Sequence, residues 1–304
     1  MSNLRQLRTR IKSSKSTAKV TKAMEMVAAS KMRRAQDQAK SAGLYTEGIS
    51  QIVLKLGGSI SPEENVFFRI SPKIKKICIV VYGPSRGFCG SLSANLAYSL
   101  RTFVKDLEAQ NVEIDFVTVM KMAYKVASKM GHQIKAHFTE FDEYPKVQSI
   151  YQILDVVRND FKSGIYDEVY IAYPRFVSTA VQIPEIIKVL PVDPSVFIKP
   201  SLEKGGEVIE TKEPEESSTE GKSGFFLLEP SKKEILNRLV PEYIEMRFFN
   251  ALLSTKASEH SARMLVMRNA TDNAEEMIYD LTLKFNKTRQ AQITTEIIET
   301  SGRL

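Results

Sequence analysis

Two stretches at opposite ends of the chain contain no residue that breaks a helix, and they limit the fold more than any other feature. The first has no glycine before Gly43 and no proline before Pro62. Alternating steps of three and four give Leu4, Leu7, Ile11, Ser14, Ala18, Thr21, Glu25, Ala28, Met32, Ala35, Ala39, Ala42, Thr46, Ile49, Val53 and Leu56, and twelve of these sixteen are apolar. That is a heptad seam held for about eight heptads. Many of its residues are alanine, which buries little area but lets another helix come close. The second stretch, from Glu242 to Ser301, has neither glycine nor proline. Its row is Tyr243, Met246, Asn250, Leu253, Ala257, His260, Met264, Met267, Thr271, Ala274, Ile278, Leu281 and Phe285, with ten of thirteen apolar. At ~1.5 Å per residue the two helices reach roughly 80 and 90 Å. Neither can bury its stripe alone. The economical solution pairs them with each other, antiparallel, with everything between looped out from one end. The other solution places each helix singly against a different partner.

Charge is placed unevenly. The net charge is +7, but residues 1–43 hold eleven Lys/Arg against two acids, so that segment carries +9 and the rest of the chain −2. A basic helix of this kind suits a targeting peptide, a nucleic-acid arm or one strand of a coiled coil. A uniform positive coat, as on many nucleic-acid binders, is not what the sequence has. The longest apolar runs, such as "ICIVVY", are far short of the ~20 residues a membrane helix needs. Met1 is followed directly by polar and basic residues, so no secretory signal is expected. Two cysteines, Cys78 and Cys89, without a CxxC, fit a reduced, cytosol-like compartment.

The middle of the chain has a different texture. "KKICIVVYG", "VEIDFVTVM" and "YDEVYIAYPRF" are rich in Val, Ile, Phe and Tyr and predict strands. "SLSANLAYSLRTFVKDLEAQ" and "SIYQILDVVRNDFKSG" have helical spacing. Strand and helix alternate over residues 74–174, which predicts a Rossmann-like parallel-sheet α/β domain. "VQIPEIIKVLPV" adds a strand that Pro184 places at an edge. The expected organisation is an N-terminal coiled-coil helix over 1–58, an α/β domain over 74–193, an acidic, glycine-dotted loop over 194–224, and a C-terminal coiled-coil helix over 231–301.

Candidate chemistry is sparse. "VVYGPSRGFCGSLSANL" runs from a strand through Gly83, Gly87 and Gly90 into a helix, which resembles a phosphate-binding turn. The spacing is GxxxGxxG, not GxGxxG, and no lysine follows as in GxxxxGK[ST]. A tight turn with close strand–helix packing is the expectation. Cys89 lies in that loop, but the histidines offer no partner: His260 belongs to the C-terminal seam, and His132 and His137 lie near the third strand. No metal-ligand spacing is present, so neither a cofactor nor a catalytic constellation is expected.

The two ends carry a resemblance. "VTKAMEMVAASKMRRAQ" (20–36), "SEHSARMLVMRNATDNA" (258–274) and "LKFNKTRQAQITTEI" (283–297) are similar to the terminal motifs of the gamma subunits of F-type ATP synthases. "GPSRGFCGSLSANL", "PEYIEMRFFNALLSTKASEH" and "FFLLEPS" match as well, so the resemblance spans nearly the whole chain. It implies a non-catalytic rotary central stalk, one copy per complex. The coiled coil fills the cavity of a ring of three alpha and three beta subunits. The α/β domain sits against the epsilon subunit and the membrane ring of c subunits. It implies no nucleic acid, no membrane span of its own, and a place on the cytoplasmic face of a bacterial inner membrane.

Residue by residue, the resemblance sets Met24 in "KAMEM" against a beta-subunit loop, and Arg289 and Gln290 in "TRQAQIT" on a beta loop. Arg263 in "SARM", with Thr294 and Glu296 in "ITTE", match positions linked to coupling. Glu229 in "LLEP" matches an acid facing the c ring. The chain departs from the pattern at Pro84-Ser85, where many members have Ser-Asp, and at Phe226 and Leu228, where some have tyrosines. Neither cysteine lies in 194–224, so thiol control of the chloroplast type is not expected. An Arg-rich, acid-poor start also imitates a transit peptide, but the row running unbroken to Leu56 speaks against removal. A nucleotide-using α/β enzyme and a basic coiled-coil nucleic-acid binder are the alternatives. ATP binding by the isolated chain and a salt-titrated DNA shift would identify them.

Overall fold

The computed structural model describes residues 2–56, 66–192 and 232–301. Two long helices dominate it: α1, Ser2–Leu56, and α5, Lys232–Ser301. Between them lie β1 (Lys76–Tyr82), α2 (Leu92–Glu108), β2 (Glu113–Val119), α3 (Lys121–Ala127), β3 (Gln133–Phe138), α4 (Tyr151–Lys162), β4 (Glu168–Phe176) and β5 (Gln182–Leu190).

The helices pair antiparallel. The Thr271 hydroxyl donates to the Thr21 hydroxyl at 2.8 Å, and the Asn250 amide donates to the Thr46 hydroxyl at 2.8 Å. As α1 numbers rise, their α5 partners fall. All fourteen seam positions from Leu4 to Ile49 are buried or half-buried, as are all thirteen from Tyr243 to Phe285. Ala28, Ala35 and Ala42 are buried at spacings of seven, so the helices meet on small side chains. The Thr21–Thr271 and Thr46–Asn250 contacts mark the register, and a slip would break these two interhelical bonds while each threonine kept a carbonyl of its own helix. Burial is graded: the seam is buried beside the α/β domain but only half-buried from Leu4 to Ala18 and from Ile278 to Phe285.

The sheet has strand order β3-β2-β1-β4-β5. Neighbours are parallel except β4 and β5: the four strands within the alternating region are parallel, as expected there, and the added edge strand runs antiparallel. The reason is the link between β4 and β5: the turn over 177–181 is too short to carry a crossover, so the chain must reverse. β5 is an edge strand, as Pro184 requires, and Pro174 opposite it lies beyond Ala172, the last β4 residue paired with β1. The sequence reading names neither β3 nor α3.

Side chains of β1 alternate between two cores. Ile77, Ile79 and Val81 pack with Leu96, Leu100 and Val104 of α2. Cys78, Val80 and Tyr82 pack with Val157 and Phe161 of α4 and with Phe248, Leu252 and Leu253 of α5. Covering both faces of a parallel sheet is what makes its strands continuously apolar. One of the two covering layers is therefore the long helix itself, so shaft and domain share a core. Pro241 lies inside α5, and its carbonyl accepts from the half-buried Arg158 guanidinium. The loop over 194–224 and Glu229 fall outside the described residues.

Candidate functional site

The polar run Thr255–Ser261 lies on α5 beside the sheet, where a helix facing water would place its charges outward. Here Thr255, Lys256, Ser258, Glu259, His260 and Ser261 are all buried. Three serines strap the β4–β5 hairpin to the helix. Ser254 Oγ accepts from the Phe176 amide at 2.9 Å, Ser258 donates to the Pro174 carbonyl at 3.0 Å, and Ser261 donates to the Thr179 carbonyl at 2.6 Å. Two carboxylates complete the junction, and each faces more than one element.

Glu259, 1% exposed, is held by the glycine loop. The Ser85 amide donates to its Oε2 at 2.9 Å and the Ser85 hydroxyl to its Oε1 at 2.6 Å. Arg263, one turn along α5, donates to Oε1 at 2.7 Å. Burial works against the charge, but the Ser85 and Arg263 bonds outweigh it and hold the carboxyl below the usual carboxylate range. Arg263 also donates to the Gly87 carbonyl at 3.3 Å and to Cys89 Sγ at 3.2 Å. The carboxyl end of β1, next to the point where the strand order reverses, is where doubly wound folds bind phosphate. In this chain two of the loop's donors, the Ser85 amide and hydroxyl, are taken up by the chain's own carboxylate. Gly83 provides the close packing expected of the turn, although against α3: a Cβ there would lie 2.6 Å from the Ala123 amide nitrogen. Burial is the main cause that pushes the Cys89 thiol up to about 11, and Cys78 is shifted up by burial too. Neither thiol is poised as a nucleophile at neutral pH.

Glu143, on the loop after β3, meets both long helices: Lys31 Nζ of α1 at 3.1 Å and His260 Nε2 of α5 at 2.8 Å. Arg263 Nη1 lies 3.4 Å from His260 Nδ1. A guanidinium cannot accept, so in this contact Nδ1 is the acceptor. Burial, with the Arg263 and Lys256 charges, lowers the His260 pKa against the pull of Glu259 and Glu143. Glu143 is lowered by Lys31, His260 and Lys256 despite burial.

This carries a pH prediction. The folded pKa of His260 lies below 6.5, so the unfolded chain takes up the proton first and stability falls as pH drops from 6.5. One such proton gives a slope of at most about 1.4 kcal/mol per pH unit. Glu143 and Glu259, depressed below 4.5, add a second loss as pH falls through that value. Urea unfolding of the chain should show a drop between about pH 7.5 and about pH 5.5, and His260→Gln should remove most of it. An equal drop in both proteins would refute the assignment.

The residues singled out by sequence are spread along the shaft. Arg263 belongs to the junction. Met24 is 37% exposed on α1. Arg289, Gln290 and Thr294 are exposed near the end of α5, with the Thr294 hydroxyl donating to the Gln290 carbonyl at 2.9 Å. The register sets Met24 level with about residue 268 of α5, roughly 30 Å of helix from Arg289. Glu296 lies in the same helix, and Glu229 falls outside the described residues. His260 is packed, as its seam position suggests. Sequence reasoning missed Glu259, Ser85, Glu143 and the three serines. The available signal was Ser254, Ser258 and Ser261 on one helical face, with Glu259 and Arg263 four apart. Among the described residues no cluster of His, Cys, Asp and Glu is suited to a metal, and no helix is long and apolar enough to cross a membrane.

The junction thus joins an antiparallel pair of long helices to an α/β domain through a shared core and a set of buried polar contacts. The family model described as ATP synthase matches residues 3–302. Relatives named ATP synthase gamma chain include one from Roseiflexus castenholzii, 37% identical over 300 residues and covering 98% of this chain and 96% of that one. Another, from Dehalococcoides mccartyi, is 36% identical over 303 residues, covering 99% and 98%. The rotor of the Euglena gracilis mitochondrial ATP synthase has the same fold, with TM-score 0.62 at 19% identity over 96% of this chain and 99% of that one. The central stalk and c ring structure from Tetrahymena thermophila gives TM-score 0.58 at 20% identity over 83% and 99%. The chain belongs to the gamma-subunit family of ATP synthases.

Proposed function

We propose that this chain is a non-catalytic shaft, one copy per complex, that couples ion flow through a c ring to ATP synthesis or hydrolysis on beta subunits. The observation that carries this reading is the far end of the helix pair. Ser14 lies 3.6 Å from the Met277 sulfur, so the register brings the start of α1 level with about residue 289 of α5. Beyond that point no described residue of α1 is level with α5, and Ile293, Ile297 and Ile298 are exposed. Apolar residues on an unpaired helix end need a cover, and a ring of three alpha and three beta subunits supplies one. The half-buried seam near the tip favours the same enclosure.

A shaft has no threefold symmetry, while the ring around it nearly does. Each beta subunit then meets a different face of the shaft, and only differential contact can bias a conformational equilibrium. Rotation passes the three contacts in turn to each site, so chemistry stays on beta and this chain supplies coupling. Met24, Arg289 and Gln290 would meet beta loops. Arg263, Thr294 and Glu296 would serve coupling, and Glu229 with the foot would meet the c ring and epsilon. The complex would lie on the cytoplasmic face of a bacterial inner membrane. Co-expression with alpha and beta subunits from the same source, purified through a tag on beta, should recover this chain, and the chain alone should not turn over ATP. Its absence from the purified assembly, or turnover abolished by mutating its own glycine loop, would overturn the reading.

A further inference from the structure

We propose that Glu259 is a positioning residue for coupling: it clasps the glycine loop of the foot to Arg263 of the shaft, so that the two turn as one body. This rests on the rotary reading above. A carboxylate 1% exposed is costly to bury, and an apolar residue of similar volume often serves stability as well or better. Its presence at this buried position calls for a role in geometry. Glu259 has that role by its contacts. Both oxygens are engaged, by two donors of Ser85 on the loop after β1 and by the Arg263 guanidinium on α5. Arg263 in turn reaches the Gly87 carbonyl and Cys89 Sγ, closing a ring of contacts between loop and helix. The shared apolar core beneath is close-packed and also transmits strain, and the clasp adds to it contacts that depend on direction. Directional, charge-assisted bonds resist sliding. They also fix which way the Arg263 side chain points, and hence how it and His260 are presented at the junction.

The test uses the complete membrane complex in sealed vesicles, comparing wild type, Glu259→Gln, Ser85→Ala and the double variant. The readout is the ratio of ions pumped to ATP hydrolysed, which does not depend on how much complex assembles. Gln keeps the shape and loses the charge that holds Arg263. The ratio should fall about fivefold, the lower end of typical couplings between sites. Ser85→Ala should lower it less, because the backbone amide still donates. The double variant should be no worse than Glu259→Gln, because both act through one clasp. If Glu259 were structural only, Glu259→Gln would lower the thermal midpoint and leave the ratio at the wild-type value, and that result overturns the proposal. If Glu259→Gln does not assemble, Ser85→Ala decides alone: an unchanged ratio refutes the clasp. A wild-type complex that hydrolyses ATP without pumping would instead refute the rotary reading.

Discussion

Replacing Gly83 by alanine will destabilise the foot by about 3 kcal/mol, the upper range for forcing extra volume into a packed site. The added Cβ would meet the Ala123 backbone nitrogen at 2.6 Å, its Cα at 3.0 Å and its Cβ at 3.2 Å. Two of these are main-chain atoms on a buried helix turn, so no side chain can swing aside. The loop after β1 is also tied to β2 and α3 here, since the Gly83 amide donates to the Val119 carbonyl at 3.2 Å and the Met122 amide to the Pro84 carbonyl at 3.1 Å. Relief requires α3 to lift or the loop to shift, and a shifted loop takes Ser85 away from Glu259. The substitution should therefore lower both the urea midpoint of the chain and the coupling of the assembled complex. Gly87→Ala, in the same loop but with nothing within 4 Å of its added Cβ, is the control. It should stay within about 0.5 kcal/mol of wild type. Equal losses in the two variants would show that loop flexibility, and not the approach to Ala123, is what Gly83 provides.

The long helices were legible because their signal is periodic and repeated: a heptad row over dozens of residues outweighs any local exception, including Pro241 inside α5. β1, β2 and β4, rich in Val, Ile, Phe and Tyr, were legible for the related reason that a doubly covered strand has no solvent-facing side. β3 was not, because "QIKAHF" is an edge strand with no fully buried residue, and its half-buried alternation with Lys135 and His137 gives a weak pattern. α3 has seven residues, too few for a helical period to register. The junction was hardest. Lys256, Glu259 and Arg263 on a helix default to a solvated face, and only the arrival of two loops from other parts of the chain turns them inward. Those loops are distant in sequence, 174 residues in the case of Ser85 and Glu259, and no periodicity joins them. The resemblance to the gamma family pointed to Arg263 as important. It did not supply the physical reason, which is that its charge neutralises a carboxylate buried between helix and loop.

Ala35→Leu will destabilise the helix pair by about 2 kcal/mol, although it adds apolar area to an apolar seam. Leucine at a buried position normally stabilises by burial, at roughly 25 cal/mol per Å² removed from water. The sign depends on whether there is room. Ala35 is 3% exposed, and the register marked by Thr21–Thr271 and Thr46–Asn250 brings it level with the turn of α5 that holds Ala257, 1% exposed, and the fully buried Ser258. Small residues face small residues there, which sets the axes near the close end of the usual 8–10 Å separation. A leucine would push α5 outward at the level where Ser258 reaches the Pro174 carbonyl and Glu259 reaches Ser85. The gain in burial is then offset by overpacking and by strained polar contacts on the far side of the same helix. Ala23→Leu is the comparison, since Ala23 lies exposed on the same helix, and it should change stability by less than about 0.5 kcal/mol. Urea unfolding of the two variants against wild type gives the answer. A stabilised Ala35→Leu would mean that the seam has slack, and that alanine is there for another reason than to hold the two helices close and the shaft thin.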